Sequence, residues 1–491
     1  MEEYGLKDNI NAVKGIEPEN VWKYFAEISS VPRGSGNEEK ISEYFENFAK
    51  SHNFWYKRDK SNNILIRKEA SAGYENAPGV ILQGHMDMVC EKTPDSTHDF
   101  LKDPIKLVKD GDFMRADGTT LGGDDGIAAA MALAVLDDDS LCHPMVEVLL
   151  TTDEEVGMNG ARSFDCSLLK GKRLINIDSE EEGEIIVSCA GGMRIEISLP
   201  VERQKAPEGF VFKTLSISGL KGGHSGSDIH LQRASAIKLL GRVLKGIEDI
   251  CGLCDIFGGS KDNAIPREAS AIIFIKIENE VKIKEILSSF EKTFSDEYSK
   301  EEYGISVKIS DFSGAPEFVM SENTFNKAVD MLNIMPYGVM TMSSKMPGLV
   351  ESSVNIGVLR SFEDKITVVS APRSSVISRR DVIEEQFKAI SRALGAQIEL
   401  RGKYPAWEYK ENSPLRDVMV ETFKDLFNCE PKVNSIHAGL ECGLFAGVLP
   451  EMDMASIGPD MSGVHTTEEK LSIPSVERTY RYLTEILKRL K

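Results

Sequence analysis

No stretch of this 491-residue chain is long and apolar enough for a membrane span. The most apolar run, IAAAMALAVL, ends after ten residues in three aspartates, where a bilayer crossing needs ~18 or more. The opening MEEYGLKDNINAVKG lacks the basic start and apolar stretch of a secretory signal. Cysteine is scarce: eight residues, most of them in apolar segments, do not make a disulfide framework, so a reducing, cytoplasmic setting is expected. Cys251-Gly-Leu-Cys254 has redox or zinc spacing, but there is no second CxxC and no histidine nearby, so the spacing reads as chance. Basic charge is also in deficit. Lys and Arg total 58 against 78 Asp and Glu, a net −20, which repels nucleic-acid phosphates and anionic membranes and excludes both as expected partners. What remains is a globular chain long enough for two to four domains.

Ser35 and Glu38 form a capping-box pattern ahead of Ile41, Tyr44, Phe45 and Phe48 at helical spacing, which predicts an amphipathic helix. Short apolar runs follow at Val80–Leu82, Val146–Leu150 and Leu174–Ile177, with a helical stretch at Ile127–Leu136 between the first two. That alternation predicts an α/β domain whose mixed sheet is covered by helices. After about Gly191 strand-like and helical segments form two successive series of similar make-up, with helices expected over Leu231–Leu244, Val281–Tyr298, Asn323–Met335 and Asp381–Leu394. They suggest an inserted α+β lid domain, internally duplicated, of helices on an antiparallel sheet. From about Trp407 the first texture returns: a helix at Leu415–Phe427, a Gly-rich turn HAGLECGLF, a strand MDMASIG and a final helix from Ser475. The expected organisation is a discontinuous catalytic domain, residues 1–191 and 406–491, interrupted by a lid at 192–405.

Five segments place acids or imidazoles just past apolar strands, where open α/β sheets bind ligands. GVILQGHMDMV carries His85 and Asp87, whose i, i+2 spacing lets a carboxylate orient the neighbouring imidazole. LGGDDGIAAA carries Asp124 and Asp125 at a helix start, VEVLLTTDEEVG carries Glu154 and Glu155, RLINIDSEE carries Asp178, and SIGPDMSGVHTTEE carries His465. Any one of these is more often a cap or a solvated turn, and Asp125 reads as a helix cap. DGTTLGGDDG is no phosphate cradle, since it matches neither glycine fingerprint and its aspartates repel phosphate. Taken together, two histidines and three carboxylates suit a pair of divalent, zinc-like ions with one bridging carboxylate.

The segments GHMDMV, TLGGDDGIA, TTDEEVGM, NIDSEEEG, GLKGGHSG, HAGLECGLF and SIGPDMSGVHT resemble, in order and over essentially the whole chain, the co-catalytic zinc peptidase clan of carnosinases and aminoacylases. The branch they resemble most is that of the bacterial aminoacyl-histidine dipeptidases. The resemblance implies that His85 and Asp178 hold one metal, that Glu155 and His465 hold the other, and that Asp124 bridges them. It further implies that Asp87 backs His85, that Glu154 is the general base, and that the Asp124–Asp125 peptide is cis. Two zinc ions are the expected cofactor, with cobalt and manganese left open. The chemistry stands on its own terms: paired metals sharpen both water and amide carbonyl, and Glu154 takes the water's proton and passes it to the leaving amine.

In the insert, His224 sits in the turn GLKGGHSGSDIH. Alone it reads as a hydrogen-bonding turn residue; the resemblance makes it the donor that stabilises the tetrahedral oxyanion, worth ~3–4 kcal/mol of barrier. His230 reads as a helix-start residue. Arg373 in TVVSAPRSS has the planar fork for a free peptide carboxylate, Asn355 in ESSVNIG could assist, and His437 and Glu441 in HAGLECG match the family's substrate-facing turn. If the insert acts on a substrate held by the metals, domain closure accompanies catalysis. The leading reading is a cytosolic metallodipeptidase for short unblocked peptides, Xaa-His among them. Its rivals are a tripeptide aminopeptidase, an N-acyl amino acid deacylase and, more remotely, a catalytically silent binding protein. A homodimer is left open.

Overall fold

Runs of apolar residues too short for helices become strands with no exposed side. The computed structural model, which describes residues 2–298 and 300–491, sets Val146–Thr151, Val80–His85, Arg173–Asn176 and Asp453–Ser456 side by side and parallel. The first two are buried at every position, as strands in the middle of a covered sheet must be. Antiparallel strands Trp55–Arg58 and Ile64–Lys68 extend one side, and Glu184–Cys189 and Lys432–Ile436 the other, giving eight strands. Because the four central strands run the same way, the residues that follow them emerge along one edge.

Two compact units are separable: residues up to Ser188 with Tyr409–Ser435 and Leu440–Lys491, and Cys189–Glu408 with Ile436–Gly439. The expected division at 191 and 405 kept residues 436–439 with the first unit. They fall in the second, where the Ala190 N–H donates to the carbonyls of Ile436 and Ala438.

The second unit is built on a nine-stranded antiparallel sheet, eight strands in two halves and a ninth, Gly338–Met342, paired to Val350–Ser361 off the main path. Its halves share one element order, strand, helix, strand, strand, helix, strand. In one half these are Phe210–Ser218, Ala236–Ile247, Cys251–Gly258, Ala269–Lys276, Glu280–Glu297 and Ser306–Asp311. In the other they are Gly191–Pro200, Glu322–Ile334, Val350–Ser361, Lys365–Ser374, Ile377–Leu394 and Gln397–Tyr404. Each half lays its strands in the order fourth, first, third, second, and the halves join through Phe257 opposite Arg360 and Gly258 opposite Leu359. Leu240, Val243, Leu287, Phe294, Val329, Leu332, Ile383 and Phe387 of the helices pack with Ile197, Leu215, Ile273 and Val368 of the strands in one apolar cluster. Cys251 packs against this cluster while Cys254 belongs to a separate one with Phe274 and Val319, so the CxxC pair does not converge on a common ligand.

Three local expectations fail for visible reasons. The capping box does not form: Ser35 donates to Asp87, Glu38 accepts from the Gly36 and Asp153 amides, and helix Glu39–Ser51 starts without a side-chain cap. The helix expected from Leu231 starts at Ala236, because Arg233 first donates to the Gly222 carbonyl and ties down the preceding turn. Half of the expected turn HAGLECGLF is helix, Glu441–Val448, which buries Cys442, Leu444 and Phe445. Among the described residues no helix is long and apolar enough to cross a membrane.

Candidate metal centre

The edge of the parallel strands in the first unit collects the acids and imidazoles. His85 Nε2 stands 2.9 Å from Asp124 Oδ1 and 3.7 Å from Asp178 Oδ1. His465 Nε2 stands 3.1 Å from Asp124 Oδ2 and 2.9 Å from Glu155 Oε2. Asp124 therefore turns one oxygen to each imidazole. Donor atoms of His85, Asp124 and Glu155 lie within 4.8 Å of one another, as do those of His85, Asp125 and Asp178. The Asp124–Asp125 peptide is cis.

The charges in this cluster are unbalanced. Burial, with Asp125, Asp124 and Glu154 adding to it, holds the Asp178 carboxyl well above the ordinary range, and burial does the same to Asp125. Burial first and then the neighbouring Glu155 and Asp124 push Glu154 up to about 7. Against its own burial, Asp124 is held low by hydrogen bonds with His465 and His85, and those with Asp124 and Glu155 raise His465 to about 10. Carboxylates crowded this closely repel one another unless protons or cations intervene. A donor set of imidazole nitrogen and carboxylate oxygen fits divalent ions of the zinc type.

The ligand candidates are held from behind. Asp87, fully buried, lies 3.4 Å from His85 Nδ1 and accepts from Ser35 Oγ and from the backbone N–H groups of Glu154 and Glu155. One carboxylate thus orients an imidazole and fixes the turn carrying the two glutamates. Asp125 is not a helix cap. The backbone at Asp124 and Asp125 is non-helical at the head of Gly123–Asp137, so Asp125 does precede the regular turns, but its Oδ2 accepts the His85 N–H rather than a helix amide. Alanine in place of Gly84 would bring its Cβ within 2.4 Å of that oxygen. Glu441, expected to face substrate, is fully buried: it accepts from Gln83 Nε2 and Thr151 Oγ1, and burial pushes it up to about 8. Its place is beneath the strand ends, with no side open to a ligand.

The second unit holds His224, Arg373, His437 and Asn355. His224 is exposed, and its Nδ1 accepts from the backbone N–H groups of Gly226 and Ser227 at 3.2 Å each. Those bonds assign the proton of the neutral ring to Nε2, and partial loss of water around the ring, then Arg373, lowers its pKa. Arg373 Nη1 donates to Tyr404 Oη, while its buried Nε has no partner among the described residues. His437 Nε2 lies 2.7 Å from Ser353 Oγ, and burial, then Arg373, pushes it down to about 3. Asn355, fully buried, donates both amide protons to the carbonyls of Asp262 and Ala264. Ala264 pairs with His224, so Asn355 props the loop beside His224 and presents no free donor of its own. His230 lies in a short 3-10 turn, Ile229–Leu231.

Arg33 and Glu469 also belong to the centre and carry no sequence signal. Arg33 is a lone cation in a loop, and Glu469 ends an acidic pair that reads as solvated. Only the backbone groups they meet reveal them.

Residues 81–489 match the model of peptidase family M20/M25/M40. The chain is 41% identical to the cytosol non-specific dipeptidase of Escherichia coli K12 over 97% of its own length and 98% of that protein's. It superposes on the crystal structure of aminoacylhistidine dipeptidase from Vibrio alginolyticus with a TM-score of 0.93 at 38% identity, covering 98% of each chain. An aminopeptidase structure from Bacillus cereus shares the fold alone, with a TM-score of 0.56 at 15% identity, covering 97% of this chain and 99% of that one. With family match, relatives and site geometry agreeing over nearly the whole length, this chain is a member of peptidase family M20/M25/M40.

Proposed function

We propose that the protein hydrolyses dipeptides with free termini, Xaa-His dipeptides among them, in the cytoplasm. The observation that carries this reading is that His85 and His465 face the two oxygens of Asp124, with Asp178 beside His85, Glu155 beside His465 and Glu154 alongside. His85 and Asp178 would hold one divalent ion, Glu155 and His465 a second, with Asp124 between them; zinc is the first choice, with cobalt and manganese as substitutes. Such ions supply Lewis acidity, polarising the scissile carbonyl and lowering the pKa of the attacking water.

The chain's own groups do the rest. Glu154, buried beside Glu155 and Asp124, accepts the water's proton and returns it to the leaving amine. Asp87 keeps His85 and the Glu154 turn in place. In the second unit, neutral His224 offers Nε2–H to the oxyanion, and Arg373 pairs with the substrate's free carboxylate through nitrogens that lack a full set of partners. His437 lies near Arg373, and Asn355 steadies the His224 loop. The working division of labour is a catalytic part interrupted by an inserted part, with Ile436–Gly439, and so His437, counted with the insert.

The test is hydrolysis of a panel of Xaa-His and other dipeptides, tripeptides and N-acetyl amino acids, before and after chelation, with metal content measured alongside. Dipeptide turnover that vanishes on chelation and returns with zinc is expected. Preference for tripeptides or N-acetyl amino acids would select a different member of the family, and full activity in metal-free protein would overturn the reading.

A further inference from the structure

A buried acid stands where electrostatics alone argues against it. Glu469 is 3% exposed and lies beside the crowded carboxylates of the centre. Its compensation is backbone: Oε2 accepts the N–H groups of Leu121 and Gly122 at 2.8 and 3.0 Å, and Oε1 those of Gly123 and Asp124 at 2.8 and 3.4 Å. One side chain thus satisfies four consecutive amides of the turn that presents Asp124.

The same glutamate ends the loop that presents His465. The Glu469 N–H donates to the Thr466 carbonyl and the Thr466 N–H to the Gly463 carbonyl. A Cβ at Gly463 would meet the Glu468 carbonyl oxygen at 2.7 Å, so the loop is tightly wound between His465 and Glu469. From the other side Arg33 donates to the Gly122 carbonyl and to those of Met86 and Asp87. The Asp124 turn is therefore clipped twice, by Arg33 to the His85–Asp87 segment and by Glu469 to the His465 loop.

We propose that Glu469 is a positioning residue that sets Asp124 against His465 and so determines the affinity of the second cation position, the one shared by Glu155 and His465. The inference rests on the metal reading above. Both positions share Asp124, but the other depends on Glu469 less, because His85 is also braced by bonds that do not pass through Glu469, its N–H to Asp125 Oδ2 and its Nδ1 beside Asp87. In Glu469→Gln one oxygen becomes an NH2 group that faces two N–H donors, so half of the clip is lost and replaced by repulsion.

The experiment is titration of metal-free protein with Co²⁺, read by the visible absorption of the bound ion and by calorimetry. Wild type should take up two equivalents. Glu469→Gln should bind the second ~10–100-fold more weakly and the first within a few-fold of wild type, the scale expected when a group supporting a ligand is lost, with Glu469→Asp between. A role confined to stability would lower the melting temperature and leave both affinities unchanged in folded protein, which would overturn the proposal. If the Gln variant does not fold, hydrogen exchange on metal-free wild type decides: the amides of residues 121–124 should be protected, and exchange as fast as an open loop would refute the clip. Failure of wild type to take up two Co²⁺ would instead sink the metal reading.

Discussion

The candidate centre of the first unit and the polar side chains of the second both hold buried polar atoms without a partner among the described residues, Glu155 Oε1 and Asp125 Oδ1 in one and Arg373 Nε in the other, and they differ in the sign of the charge those atoms carry. Asp87 is engaged on both oxygens, Asp125 holds a strand amide, and Asp124 sits in a turn gripped by Arg33 and Glu469. In the second unit His224 has Nδ1 occupied but is exposed, and Arg373 has a buried Nε with no partner among the described residues. A buried polar atom without a partner costs ~1–3 kcal/mol, so a fold tolerates it where something else completes the bond. The difference teaches what could complete each bond: unpartnered carboxylate oxygens suit a cation, and an unpartnered guanidinium nitrogen suits an acceptor oxygen. A metal centre gains from rigidity set before the ion arrives, and the backbone bonds to Asp87 and around Asp124 supply it.

The contrast breaks most sharply at Glu154. Its backbone N–H is held by Asp87, so Glu154→Gln should leave the site's geometry intact, retain both metals by elemental analysis, and lower kcat by ~10²–10⁴. Substantial turnover in the fully metallated variant would remove the general base from this residue. The second unit answers to a different probe. Arg373→Met should lower kcat/KM for a free dipeptide by ~10–100-fold, the scale of a lost charge-assisted hydrogen bond, yet barely affect the same dipeptide with an amidated C-terminus. Equal losses on both substrates would mean that the open nitrogens of Arg373 serve the fold rather than a carboxylate.

Much of this was legible in the chain, and the exceptions share a cause. The buried strands Val80–His85 and Val146–Thr151 announce themselves because burial on both faces demands continuous apolar residues. His85, Glu154, Glu155 and Asp178 stand out because they end or closely follow buried strands, whereas Asp124 opens a helix and His465 sits in a loop. Asp125 and Glu441 were misread because local rules favour a cap before a helix and an open loop among glycines. Their real partners, the His85 amide and the Gln83 and Thr151 side chains, lie 40, 358 and 290 residues away. Asn355 was misread for the same reason: its partners are carbonyls 91 and 93 residues distant. Side chains that bond distant backbone leave no periodicity and no motif, so Glu469 and Arg33 emerge only in three dimensions.

Whether the reserve in Arg373 is local or a general looseness of the second unit can be asked of Lys238. Its ammonium is clamped by the carbonyls of Leu332, Asn333 and Met335 at 2.6, 2.9 and 2.9 Å, closing the end of helix Glu322–Ile334, where carbonyls otherwise lack donors. Burial lowers its pKa to about 8, below the ~10.4 of an unfolded lysine. Between those values the unfolded chain binds the proton more firmly than the folded one, so stability gains with rising pH across that window and is flat below it. Lys238→Met removes that titration. The urea-midpoint difference, wild type minus variant, should therefore grow from pH 8 towards pH 10, with other titrations common to both proteins cancelling. A difference independent of pH would show that the three carbonyl acceptors offset the ammonium's loss of water, so that the second unit clamps this cation fully and the reserve in Arg373 is local.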